Sequence, residues 1–375
     1  MSVDVIVVGA GIVGAACAAE LAARGMSVEV IDAAGIGGGA TAAGMGHVVV
    51  MDDSPAEFAL SRYSRELWLE LAPQLRALDA FVRCGTLWVA QDDIELEAAQ
   101  SMHDALATRH VRAGMLDSHA LRAAEPALAH SMQGGLLVED DSIVYAPAAS
   151  EWLLTQSPHA SRIRLSPGKT VTRVEPGRVT LGEGEHRLAA HVVVANGLAA
   201  STLLPGVPLV PKKGHLLITD RYPGLVRHQL LELGYIKSAH HATGTSVAFN
   251  VQARPTGQLL IGSSRQFDTG DPAVELDVMG RMLRRAAHYL PTLPTLNAIR
   301  AWTGFRAASP DGLPLIGPAG EATGTIWMAV GHEGLGVTTS LGTAKLLASQ
   351  MLGTPHELSA AAFSPGRFLT EHAHG

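Results

Sequence analysis

Val3-Asp4-Val5-Ile6-Val7-Val8-Gly9-Ala10-Gly11-Ile12-Val13-Gly14 opens the chain, and Val28-Glu29-Val30-Ile31-Asp32 follows it. Val3 to Val8 is rich in β-branched residues on both parities, the pattern of a strand buried on both faces of a parallel sheet. Gly9 ends it. Ile12 to Arg24 is Ala-rich and favours helix, and Gly25 is a C-terminal stop. Val28 to Asp32 reads as a second strand, so the chain begins with a βαβ unit. The glycines have separate tasks: Gly9 permits a tight turn, Gly11 lets backbone approach a diphosphate, and Gly14 lets helix and strand pack closely. Gly9, Gly11, Ile12, Val13 and Gly14 would then cradle a dinucleotide at the positive end of the helix. Asp32 is placed to accept hydrogen bonds from ribose hydroxyls and disfavours a 2′-phosphate. Glu29 lies three residues before the strand end and is a poorer candidate. NAD and FAD both fit this motif.

Working outward, apolar spacing predicts helices over 55–78, 93–109, 118–124 and 147–156, the first broken near Pro73. Short strands and turns fill 162–188, and His191 to Ala195 is another doubly buried strand. Pro205 to Pro211 reads as a linker. Strands are expected at Leu216–Thr219, Leu230–Leu233, Ser246–Val251, Leu259–Ser263 and Thr325–Val330, with helices over 274–290 and 338–352. The fold class is α/β with an α+β insertion. A Rossmann-like dinucleotide-binding domain is assembled from 1–80, 140–205 and 300–375. A mostly antiparallel β-sheet substrate domain uses 81–139 and 206–299.

Composition removes several classes. The 375 residues are 47% apolar and 17% charged, with formal net charge −7, which argues against a nucleic-acid binder. Cys17 and Cys84 are the only cysteines, too few for a disulfide framework, zinc ribbon or iron–sulfur cluster. No metal site is expected; His240 and His241 would point to opposite faces of a strand. No apolar run reaches the roughly 18 residues of a spanning segment, and no basic leader precedes the first strand. A cytoplasmic protein is expected. Lys212-Lys213 reads as surface charge, Glu139-Asp140-Asp141 as a solvated acidic loop, Cys17 as core packing, and His372 and His374 as part of a frayed tail.

The stretch from Gly35 to His47 is glycine-dense and continues directly from the second strand. So much glycine implies backbone passing close to something large and flat. This stretch resembles the D-amino-acid oxidase-like family of FAD enzymes, which includes glycine oxidase, sarcosine oxidase and bacterial D-amino-acid and D-hydroxyproline dehydrogenases. Three more segments carry the resemblance: His191 to Gly197; Gly304-Phe305-Arg306 with the turn Pro310 to Gly317; and Gly331-His332-Glu333-Gly334-Leu335-Gly336-Val337-Thr338. The resemblance implies bound FAD. It places Thr41, Ala42, Gly44, Met45 and Gly46 beneath the flavin, and Val171, Asn196 and Gly197 beside the cofactor. Gly331, Gly334, Leu335, Gly336, Val337 and Thr338 would open the last flavin-contacting helix, whose N-terminus favours the negative charge of reduced flavin.

Arg306 is then the expected carboxylate anchor, because a guanidinium offers a planar two-donor fork. Arg265 and Asn250 are expected to face the substrate, and His47 and His332 to flank the flavin and orient substrate or accept a proton. Some relatives hold FAD through a late cysteine; no cysteine follows Cys84, so the resemblance implies noncovalent FAD. Glycine oxidase-like relatives carry a second arginine in the Gly-His loop, which here reads His332-Glu333-Gly334 and looks more like the D-hydroxyproline branch. The expected function is FAD-dependent oxidation of a small α-amino or imino acid, of the D-proline or D-hydroxyproline type, by hydride transfer from the α-carbon to flavin N5. Electrons would pass on to an acceptor or to electron-transfer subunits. The alternatives are a glycine- or sarcosine-type oxidase using oxygen, a non-catalytic FAD-holding subunit, and a plain NAD dehydrogenase, which residues 35–47 disfavour.

Overall fold

The computed structural model describes residues 3–51, 53–182, 184–234, 244–267, 269–320 and 325–369. The chain forms two compact units, one of residues 1–79, 144–211 and 305–375, the other of 80–143 and 212–304. His240, His241, His372 and His374 lie outside the described residues.

The first unit is built on a sheet whose order is Leu315–Pro318, Ile326–Val330, His186–Val194, Val3–Val8, Val28–Asp32, Ile163–Pro167. All neighbours on this path are parallel except the first pair. Val5, Ile6, Val7, Val192, Val193 and Val194 are fully buried, as a strand covered on both faces requires. The helix Ile12–Ala23 buries Ala15, Ala16, Cys17 and Ala18, so Cys17 is core packing. The helix Pro55–Leu71 stops just before Pro73 and passes into a 3₁₀ turn, Ala72–Gln74. Glu29 is buried in this unit, paired with the Arg164 guanidinium and accepting from Ser166 Oγ at 2.7 Å.

The second unit centres on a sheet of order Ala298–Ala308, Val210–Arg221, Gln258–Gln266, Thr245–Ala253, Gln229–Glu232, Thr86–Ala90, Gly134–Val138, Ala113–Asp117. Among the registers defined for it, only Gln229–Glu232 with Thr86–Ala90 is parallel. The helix Leu276–Tyr289 covers one face, burying Met279, Met282, Ala286 and Tyr289 against Leu217, Phe249, Val251 and Ile261. The segment expected to be a linker already turns into strand at Val210.

Two charge expectations are corrected here. Lys213 is not surface charge: it is 0% exposed, with Nζ 2.7 Å from Glu275 Oε1. Gln266 Nε2 also donates to Glu275, and the Glu275 N–H donates to His215 Nε2 at 3.0 Å. His215 Nε2 therefore accepts, so Nδ1 carries the proton and donates to Ser264 Oγ, 2.9 Å away. Burial first, and the Lys213 charge second, hold His215 below its ordinary pKa. The acidic run is likewise not simply solvated: Asp141 is 1% exposed, and Asp140 pairs with both Arg83 and Arg112.

Beneath the helix, Glu232 is buried in a second polar network. Its Oε2 accepts from Arg285 Nε at 2.6 Å and from the Tyr289 hydroxyl at 2.9 Å, and its Oε1 accepts from the Phe249 N–H at 2.9 Å. The Phe249 and Tyr289 rings stack, centroids 4.4 Å apart. Removing one member strands the others in apolar surroundings. Glu232→Ala should cost about 3 kcal/mol, the lower end for a broken buried pair because Arg285 keeps some solvent. A thermal melt should show the variant falling by several degrees and Glu232→Gln by less; an unchanged melt would remove the network from the account of stability.

Candidate active site

The first unit alone assembles most of the expected cofactor residues. Gly9 has φ +110, and a Cβ there would lie 2.6 Å from the Ala195 carbonyl oxygen, so glycine is required at this crossing of strand ends. A Cβ on Gly14 would fall 2.0 Å from Gly9 O, which is why the first helix can rest directly on the turn. Its N-cap, Gly11, offers no side-chain cap, and no acid lies in the first turn, leaving N–H donors and the helix dipole for an anion. Asp32 Oδ2 accepts from Ala10 N–H, and Oδ1 accepts from the N–H groups of Ala34 and Gly35, each at 2.8 Å. Oδ2 keeps a lone pair for a ribose hydroxyl. Thr41 does more than line the site: its Oγ1 accepts the Ile12 N–H at 3.0 Å.

Ala42 lies in a short helix, Ala40–Ala43; Gly44, Met45 and Gly46 follow, with Met45 buried and Gly46 at φ +82. Asn196 and Gly197 follow the strand His186–Val194 and open a 3₁₀ turn, Gly197–Ala199, and Asn196 Oδ1 is buried without a hydrogen-bond partner. Val171 begins the strand Val171–Glu175 and packs in the core of this unit.

The second helix N-terminus lies beside the first. The helix Gly336–Leu352 starts two residues before the expected 338, and a Cβ on Gly336 would sit 3.8 Å from Val13 Cγ2. Thr338 Oγ1 donates to His47 O and accepts from Val49 N–H, Trp68 Nε1 donates to Val337 O, and Gly342 N–H donates to Ser64 Oγ. Trp68 and Ser64, unnoticed in the sequence, fix this helix. Two uncapped helix starts, a glycine crossing and an unfilled Asn196 acceptor fit a large dianionic, flat cofactor such as FAD.

Arg306 reaches the same unit on the strand Ala298–Ala308. A Cβ on Gly334 would make ordinary contact, at 3.7 Å, with Arg306 Cδ and Nε, so the guanidinium stem lies beside this loop. The strand end is tied to the loop by a bridge between Ala308 and His332. The turn after it is anchored by Arg367, whose Nε donates to Asp311 Oδ2 at 2.7 Å. His332 is 8% exposed, its Nε2 lies 3.0 Å from Thr343 Oγ1, and burial pushes its pKa down to about 3. It is therefore neutral near pH 7. His47 is half-buried in a two-residue strand, His47–Val48. In the second unit, Asn250 and Arg265 share the sheet face away from the helix Leu276–Tyr289: Phe249 and Val251 point to the helix, and Arg265 pairs across from Ser246. Asn250 is 7% exposed, with Oδ1 lacking a partner.

No group of three metal-binding side chains occurs among the described residues, and no helix among them is long and apolar enough to cross a membrane. Fold and site define a flavin-dinucleotide-binding protein. A family model described as FAD dependent oxidoreductase (DAO) matches residues 4–350, and the chain belongs to that family. It is 28% identical to hydrogen cyanide synthase subunit HcnC of Pseudomonas aeruginosa over 99% of this chain and 97% of that protein. It is 26% identical to the glycine oxidase of the same organism over 97% of this chain and 99% of the relative. In fold it matches L-proline dehydrogenase from P. horikoshii, with TM-score 0.87, 21% identity and 98% of each chain covered. It also matches glycine oxidase from Geobacillus kaustophilus, with TM-score 0.86, 24% identity, and 98% and 99% covered. The protein is an FAD-dependent amino-acid oxidoreductase acting on CH–NH groups.

The buried histidine sets an acid limit. His332 stays neutral in the folded chain down to about pH 3, whereas its ordinary pKa is 6.5. The unfolded chain takes up that proton first, so stability is whole above about pH 6.5 and is lost as pH falls toward 3. Denaturant melts from pH 7 to 4 should show a shallower acid decline for His332→Gln than for the normal chain. Parallel declines would mean that His332 does not govern the acid limb.

Proposed function

We propose that the enzyme oxidises small cyclic α-imino acids of the D-proline and cis-4-hydroxy-D-proline type, with hydride leaving the α-carbon for flavin N5. The observation that carries this reading is Arg306, a single guanidinium resting on Gly334 in a loop that contributes no second arginine. Bound FAD supplies the hydride acceptor. Arg306 binds the α-carboxylate through two donors and so orients the α-C–H. Arg265 and Asn250 are proposed to meet the remaining polar groups of the substrate, and His47 to orient it. A neutral secondary amine can release hydride without an enzymic base at carbon, which agrees with the neutral, committed His332.

The FAD is proposed to be noncovalent. Burial pushes the thiols of Cys17 and Cys84 up to about 12 and about 11, so neither is a ready thiolate. Acid or heat precipitation should leave the yellow colour in the supernatant; colour staying with the pellet would reject this. We propose partner subunits, supported by the names of two relatives, hydrogen cyanide synthase subunit HcnC and an opine oxidase subunit of Rhizobium meliloti, and an electron acceptor other than oxygen. A glycine-type oxidase is the second reading, favoured by the full-length similarity to glycine oxidase. Retention of Arg306 argues against a subunit that merely holds FAD.

An anaerobic screen scored by loss of flavin absorbance separates these readings. D-proline and cis-4-hydroxy-D-proline should reduce the flavin faster than glycine, and a quinone dye should reoxidise it faster than oxygen. Arg306→Ala should lower reduction efficiency roughly 30- to several-thousand-fold, the loss of about 2–5 kcal/mol expected for a charge-assisted pair. Arg306→Lys should recover only part, because an ammonium cannot reproduce the fork. A loss under about threefold in the alanine variant would show that the anchor lies elsewhere.

A further inference from the structure

The end of the strand that carries Arg306 is fastened to the C-terminal segment of the same unit. Ser309 follows that strand and is buried; its hydroxyl donates to Leu313 O at 2.6 Å and lies 3.1 Å from Asp311 Oδ1. The Leu313 N–H also donates to Asp311 Oδ1, at 3.1 Å, so the turn after Arg306 closes on its own carboxylate. Arg367 reaches this turn from the short helix Gly366–Leu369. Its Nε donates to Asp311 Oδ2 at 2.7 Å, and its Nη2 to Asp311 Oδ1 at 3.1 Å and to Leu313 O at 2.6 Å. Nη1 donates to Ser364 O at 3.0 Å. A surface ion pair contributes little unless it is two-pronged and held in place. Here one guanidinium makes four bonds and grips a carboxylate 56 residues away. The gripping segment is itself seated: Phe363 is buried, and a Cβ on Gly317 would lie 3.3 Å from Pro365 Cδ.

The inner side of the turn meets the loop beside Arg306. That loop bends sharply, with Gly331 at φ +80 and Glu333 at φ +46, and a Cβ on Gly331 would lie 3.6 Å from Ser309 Cβ. Ala308 bridges to His332, and the Arg306 stem lies beside Gly334. Contacts therefore run unbroken from Arg367 through Asp311 and Ser309 to the strand end that bears Arg306. We propose that Arg367 is a positioning residue: its clasp on Asp311 and Leu313 O fixes the strand end from which the Arg306 guanidinium meets a substrate carboxylate. A two-donor fork is effective only from a fixed origin, and a misplacement of about 1 Å can cost on the order of a hundredfold. This role deepens the proposed function and rests on its assignment of Arg306. Arg367 acts through Arg306 and not on the substrate itself. A clasp that served stability alone would lower the melt and leave ligand affinity where it was.

A double-mutant cycle on the FAD-loaded enzyme separates the two roles. Affinity for tetrahydro-2-furoate, an unreactive ring carboxylate, is read from perturbation of the flavin spectrum, with a thermal melt run beside it. Arg367→Ala should weaken this ligand about tenfold in the normal chain and less than about twofold in an Arg306→Lys background, because residues acting as one unit are not additive. Arg367→Lys should recover part of the loss, since an ammonium keeps one prong of the fork. Arg306→Lys alone checks the underlying assignment. If it leaves affinity unchanged, or if the normal enzyme binds neither tetrahydro-2-furoate nor the open-chain isobutyrate, Arg306 is not the anchor and the proposal falls with it. If Arg306→Lys weakens binding while Arg367→Ala does not, or does so equally in both backgrounds, the anchor stands and the positioning role fails, whatever the melt shows. Should the alanine variant not hold FAD, Asp311→Asn, which keeps the shape of the side chain, enters the cycle with the same expectation. Loss of FAD from both variants would show a clasp that serves the cofactor fold instead, and would overturn the proposal.

Discussion

The cofactor-binding unit depends on how closely its first helix can approach its first strand. A methyl group at Gly14 would collide with the Gly9 carbonyl oxygen at 2.0 Å, and one at Gly9 would collide with Ala195 O at 2.6 Å. With both absent, three backbone segments meet at the carboxyl end of the sheet, where ligands bind in open α/β folds. The helix N–H groups are brought to that end, and Asp32 is fixed beside them by the N–H groups of Ala10, Ala34 and Gly35. Val13 of this helix then touches the start of the helix at Gly336. The starts of the two helices are therefore neighbours.

Around that point the chain places positive field without relying on titratable cations. Helix ends cannot be deprotonated, and His332 is held neutral by burial. The late helix is pinned by polar bonds to Trp68, Ser64 and His47, so its start cannot drift. A fixed dipole needs no reorganisation when negative charge develops nearby, which suits a site where a flavin is reduced. Arg306 lies near the end of the strand Ala298–Ala308 and carries a full positive charge.

The second unit achieves rigidity by a different route. Its sheet buries Lys213, Glu232, His215 and Gln229, each of which would be costly alone. The first three are satisfied by partners on the helix Leu276–Tyr289, at its N-cap, or on neighbouring strands. Gln229 Nε2 donates to Thr86 Oγ1 and Ser142 O. Such networks tolerate little shift in register, and register decides which face carries Asn250 and Arg265.

The sequence by itself determined what depends on local pattern. The β-branched run from Val3, the spacing of Gly9, Gly11 and Gly14, and Asp32 at a strand end announced a βαβ dinucleotide site. The glycine-dense stretch from Gly35 and the loop from Gly331 resemble segments of a known FAD family, and the flavin was implied by that resemblance. These signals are legible because turn geometry and helix or strand periodicity are properties of neighbouring residues. Only the tertiary structure decided the rest. Lys213 looked like surface charge because its partner, Glu275, is 62 residues away. Asp141 looked solvated because burial is not written in an acidic run. The neutrality of His332 comes from burial, which folding supplies. The left-handed turn at Glu333 and the packing of Arg306 on Gly334 likewise arise where a strand meets a loop. Burial and charge pairing are set by residues distant in the chain, and no local pattern encodes them.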